Sequence, residues 1–77
     1  MKDSIYLAKF RYSDEVLRID GLINCIEAAK KFVVESGVGY DTVTIFNEDS
    51  EKPVYKFTYR KDMFSNKVYW KTYPTLD

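Results

Sequence analysis

Between Ser4 and Tyr73 the apolar residues change period twice, from two to about 3.6 and back to two. That order of periods limits the chain to a small set of folds. In residues 4–12 (SIYLAKFRY), Tyr6, Ala8, Phe10 and Tyr12 fall on one side and Lys9 and Arg11 on the other, the pattern of a half-buried strand. Ser13 to Glu15 interrupt it as a turn, and Val16 to Ile19 return as a short second strand. From Leu22 the spacing lengthens. Leu22, Cys25, Ile26, Ala29, Phe32 and Val33 form one stripe, with Glu27, Lys31 and Glu35 opposite. Asp20 carries a side chain suited to an N-cap, and Gly37 stands where a left-handed residue ends a helix. The spacing therefore predicts a helix over 21–36. Alternation resumes in 41–47 (DTVTIFN), 54–60 (VYKFTYR) and 67–73 (KVYWKTY), the last closed by Pro74.

Short links between consecutive strands require antiparallel neighbours. The expected fold is α+β, in the order strand, short strand, helix, strand, strand, strand. One helix then lies on an antiparallel sheet of four to five strands, as a two-layer sandwich in a single compact domain over 1–77. At 77 residues the chain stands near the lower size limit for a single core, and its seven Tyr and five Phe supply area that a small core otherwise lacks.

Composition removes several functions. Twelve basic residues balance twelve acidic ones, which argues against a strongly basic nucleic-acid clamp or an acidic mimic of DNA. Cys25 is the single cysteine and histidine is absent, so no internal disulfide and no ordinary zinc set is expected. On the apolar stripe, with no histidine to activate it, Cys25 reads as a small buried hydrophobe. Asn47, Glu48, Asp49 and Glu51 gather oxygens in one loop but lack the alternate ligand spacing, turn glycine and distal Glu of a calcium loop. Ser36 to Gly39 places glycines after a helix, whereas phosphate cradles place them before one. Asp14 and Glu15 nominate no partner for acid–base chemistry, so the expected function is non-enzymatic, without metal or cofactor. The opening residues, MKDSIYLAKFRY, lack the apolar stretch of a signal peptide, and no run reaches the ~18 apolar residues of a membrane span. A cytoplasmic protein with no membrane partner is expected.

What remains is residues 53–74, PVYKFTYRKDMFSNKVYWKTYP, with seven aromatic and five basic side chains. Tyr55, Phe57 and Tyr59 alternate with Lys56, Thr58 and Arg60, so the rings should meet the helix. An RNA-recognition strand would carry glycines between its rings, and this one has none. If Val68 and Trp70 also point inward, Lys67, Tyr69, Lys71 and Tyr73 point outward beside Lys56 and Arg60, making a basic face set with tyrosines. Met63 and Phe64 lie together where a polar turn is expected, and adjacent residues do not both face a core. Ile23 and Val34 fall off the helix stripe and are expected to be exposed.

These residues predict partner binding through Met63, Phe64, Tyr69, Lys71, Tyr73, Lys56 and Arg60. A protein partner ranks first, in an inhibitor or adaptor. The build matches small phage proteins that block host or defence enzymes, in size and composition alone. Single-stranded nucleic acid ranks second, since residues 52–71 hold six basic residues against one acid. Self-association through an edge strand is the third reading.

Overall fold

The structure is a computed structural model that describes residues 4–50 and 52–73. Glu51 and Pro74, which figured in the acidic loop and at the end of the last strand, lie outside the described residues. In chain order the elements are β1 (Ile5–Phe10), β2 (Val16–Asp20), α1 (Leu22–Glu35), β3 (Tyr40–Asn47), β4 (Pro53–Lys61) and β5 (Val68–Tyr73). They form one helix on a five-stranded antiparallel sheet of order β2-β1-β3-β4-β5. The helix carries the chain back over the sheet after the first hairpin, so β3 joins the free side of β1 rather than β2. It packs on β2, β1 and β3 and leaves the β4–β5 hairpin projecting past it.

Strand parity decides the core. Ala8 and Phe10, Val43 and Ile45, and Phe57 and Tyr59 are the inward residues of three neighbouring strands, and all are buried against Cys25, Ala29 and Val33 of α1. Small side chains at Ala8, Cys25 and Ala29 let the two layers approach closely. Leu22, Ile26 and Phe32 share the helix stripe but flank the contact and are half-buried, with the Phe32 ring 4.7 Å from that of Phe10. Trp70 closes the core on β5, 5.1 Å from Tyr59 and 5.7 Å from Phe57 between ring centres, and Lys30 of the helix reaches it with Nζ 5.2 Å from its ring centre.

The helix start departs from expectation. Asp20 is the last residue of β2 and makes no side-chain cap; Gly21 is the N-cap residue, at φ 91°. The chain passes from strand to helix within one residue, and that turn needs a positive φ that only glycine adopts at low cost. The Asp20 carbonyl accepts a hydrogen bond from the Asn24 side chain at 3.1 Å. At the other end Gly37 does take the left-handed conformation, at φ 81°. A Cβ added there would meet nothing within 4 Å, so the cost of Gly37→Val is backbone strain alone. We expect a loss of about 1–2 kcal/mol in urea denaturation; an unchanged midpoint would mean the turn relaxes without cost.

One structural role escaped the sequence reading. Asp41 is buried at the start of β3, where its Oδ1 accepts hydrogen bonds from the backbone N–H groups of Thr42 at 2.7 Å and Tyr12 at 3.3 Å. It fastens the end of β1 to β3 and satisfies amides that would otherwise lose water without a partner.

Candidate binding surface on the open sheet face and hairpin tip

The helix covers one face of the sheet, and the other is open. Strand register sets its side chains in rows. One row runs Lys9, Thr44, Lys56, Tyr73 across β1, β3, β4 and β5. The next runs Thr42, Thr58, Lys71, with Arg11 continuing it through a 3.0 Å bond from its N–H to the Thr42 carbonyl. A third runs Tyr40, Arg60, Tyr69. Neighbouring strands lie about 4.8 Å apart, so the long cations stand around a floor of three short threonines. The result is a shallow depression of about 390 Å³ lined by Lys9, Arg11, Thr42, Thr44, Phe46 and Lys56. The space lies on the open face of the sheet.

Lys56, Arg60, Tyr69, Lys71 and Tyr73 thus share one face, as their alternation predicts. Lys9, Arg11 and Phe46 extend it in a way the sequence reading missed, because their proximity depends on β1 lying beside β3. The cations rest on rings. The Arg60 guanidinium lies 4.9 Å from the centre of Tyr69, Lys71 5.2 Å and Lys56 5.8 Å from Tyr73, and Lys9 5.1 Å from Phe46. Among the described residues the one ion pair is Arg18 with Glu48, whose two carboxylate oxygens lie 3.0 and 3.1 Å from Arg18 Nη2. Glu48 of the acidic loop is therefore turned to β2, and Asn47 Oδ1 accepts the N–H of Asp49 at 2.8 Å.

At the end of the hairpin Met63 is 84% and Phe64 101% exposed. The turn that carries them is firmly braced. The Asp62 N–H donates to the Lys67 carbonyl and the Asn66 N–H to the Asp62 carbonyl, each at 2.8 Å. One Asp62 carboxylate oxygen accepts the Phe64 N–H at 2.9 Å and the other the Ser65 hydroxyl at 3.0 Å. Asn66 takes the left-handed conformation that lets the chain re-enter β5, at φ 59°. Arg60 lines one depression with Met63 and Phe64 and another with Tyr69 and Lys71, so tip and face are continuous.

The bonds from Phe64 and Ser65, with the charge of Arg60, hold the Asp62 carboxyl below its ordinary value of 3.8. A carboxyl depressed in the folded state strengthens the turn above its unfolded pKa, and that contribution fades as pH falls through the depressed value. The Phe64 amide signal should therefore hold above pH about 4 and move in more acidic solution. An amide indifferent to acid would show that the brace does not form. Burial pushes the Cys25 thiol up from 9.0, which keeps it protonated and unreactive.

Among the described residues no helix is long and apolar enough to cross a membrane. No protein-family model, curated protein or solved structure matches the chain.

Proposed function

We propose that the chain is a non-enzymatic protein-binding module, an inhibitor or adaptor that inserts Met63 and Phe64 into an apolar pocket and lays its basic face on an acidic surface. The observation that carries this reading is the full exposure of Phe64 on a turn that is hydrogen-bonded into shape. A fixed turn has little entropy left to lose on binding, so an apolar ring there is prepared for desolvation by a partner. Charge segregation supports the same reading. Net charge is zero, yet Lys9, Arg11, Lys56, Arg60 and Lys71 crowd the open face, while Asp14 and Glu15 lie in the first turn and the helix balances Glu27 and Glu35 with Lys30 and Lys31. Such a distribution orients an approaching acidic partner and quickens its association. Arg and Tyr are also the side chains that most often dominate interface energetics. A cytoplasmic setting, where a lone thiol stays reduced, belongs to this reading.

Single-stranded nucleic acid is the second reading, favoured by the spacing of cations around the threonine floor. It ranks lower because the rings of Phe46, Tyr69 and Tyr73 already carry cations, and bases would have to displace them before stacking. Capture from the native host with and without nuclease, alongside a Lys56→Glu, Arg60→Glu, Lys71→Glu variant, separates the two. A nuclease-resistant protein lost with the variant is the expected result. A catch that vanishes with nuclease would overturn it in favour of the second reading.

A further inference from the structure

We propose that β5 pairs with β5 of a second copy, making one ten-stranded sheet centred on Trp70. The backbone sets which residues can do this. Asp62 N–H donates to Lys67 C=O, so positions 62 and 67 form a hydrogen-bonded pair. Such pairs alternate along an antiparallel ladder, so Tyr69, Lys71 and Tyr73 spend their backbone groups on β4. The bond from Lys61 N–H to Gly39 C=O gives the complementary alternation on the other side of β4. It follows that Val68, Trp70 and Thr72 aim their N–H and C=O groups at the open edge.

A second copy related by a two-fold axis through Trp70 satisfies all of these groups. Val68 faces Thr72 of the other copy, Trp70 faces Trp70, and Thr72 faces Val68, each as a hydrogen-bonded pair. The side chains agree with that register. On the helix side the two Trp70 rings, each 38% exposed in the single chain with Lys30 Nζ of its own helix 5.2 Å from the ring centre, meet across the axis and cover one another's free edges. On the open side Tyr69 faces Lys71 of the other copy in a closely spaced pair, a ring against a cation rather than lysine against lysine. The other edge does not match itself. The Gly21 N–H bond to Ser4 C=O leaves Val16, Arg18 and Asp20 directed outward on β2, and self-pairing there sets Arg18 against Arg18. β5 carries a single charge, Lys71, and neither proline nor bulge among its residues. The axis stands perpendicular to the sheet, so both basic faces lie on one side of the dimer and both helices on the other.

Trp70 is the one tryptophan, so its emission reports the interface directly. Raising the concentration from about 10 µM to 1 mM should shift that emission to the blue as the mass by light scattering doubles. Thr72→Pro removes an edge-directed N–H and leaves the backbone bonds to β4 in place, losing only the 3.2 Å hydrogen bond between the Thr72 and Tyr55 hydroxyls, and it should raise the dimer dissociation constant at least about tenfold. If this variant misfolds, hydrogen exchange on the unaltered chain decides the matter. Amides of Val68, Trp70 and Thr72 should gain protection with concentration while those of Val16, Arg18 and Asp20 do not. A single-chain mass throughout, or protection arising at β2 instead, overturns the proposal. Neither result bears on the Met63–Phe64 contact.

Discussion

Phe57→Ala is expected to destabilise the protein by about 3–5 kcal/mol, the largest effect of any single substitution considered. Phe57 is fully buried where three parts of the core meet. It pairs in register with Val43 on β3, packs edge-on to Trp70 of β5 and lies under Lys30 of the helix, whose Nζ is 5.8 Å from its ring centre. Because the helix packs mainly on β2, β1 and β3, few of its side chains can collapse from above to fill the vacated space. The cavity contribution should therefore stand near the upper part of its range. A chain of 77 residues has total stability of about 4–12 kcal/mol, so this loss is about a quarter or more of the whole. The expected fall in melting temperature is about 12–40 °C, and Trp70 emission should shift to the red as its neighbour is removed. By contrast Ile26→Ala, on the half-buried flank of the helix, should cost clearly less. Equal losses at the two sites would mean that the core is centred on the helix rather than on β4.

The contrast between those two residues shows what a single sequence makes legible. Periodicity alone distinguishes Phe57 from Lys56 and Cys25 from Glu27, because a side chain's face follows from its parity or its angle around the helix. It therefore foretold the strands, the helix and the outward set Lys56, Arg60, Tyr69, Lys71 and Tyr73. Depth within a face is another matter. Ile26 and Val33 lie on the same stripe, yet only Val33 is fully buried, since depth depends on where the helix axis crosses the strands. Sheet order is equally non-local: Lys9 and Lys56 are 47 positions apart, and both flank Thr44 only because β3 inserts between β1 and β4. The choice of Gly21 over Asp20 as helix cap, and the burial of Asp41, belong to the same class. Each is settled by how tightly one element must follow or approach another, and no local spacing records that.

Replacing Met63 and Phe64 together by Ser should leave the melt nearly unchanged, within about 0.5 kcal/mol, and weaken partner binding by about 2 kcal/mol or more. Neither prediction is trivial, because the two residues differ. Phe64 is wholly exposed and its backbone N–H, not its ring, holds the turn through Asp62. Met63 borders a small depression with Gly37, Val38 and Gly39, so its side chain also lies near the end of the helix. Single variants divide the effects: Phe64→Ser should lose affinity with no change in the melt, and any loss of stability in the double variant should come from Met63. Salt adds an independent check. Attraction between the basic face and an acidic surface weakens as ionic strength rises, whereas desolvation of a ring in an apolar pocket does not. The affinity lost with Phe64 should therefore be the same at low and high salt, while that lost with Arg60→Glu should shrink as salt is added. If removing Phe64 changes neither binding nor melt at any salt concentration, the tip is not the anchor, and the exposed helix flank at Ile23 and Val34 becomes the apolar surface to test in its place.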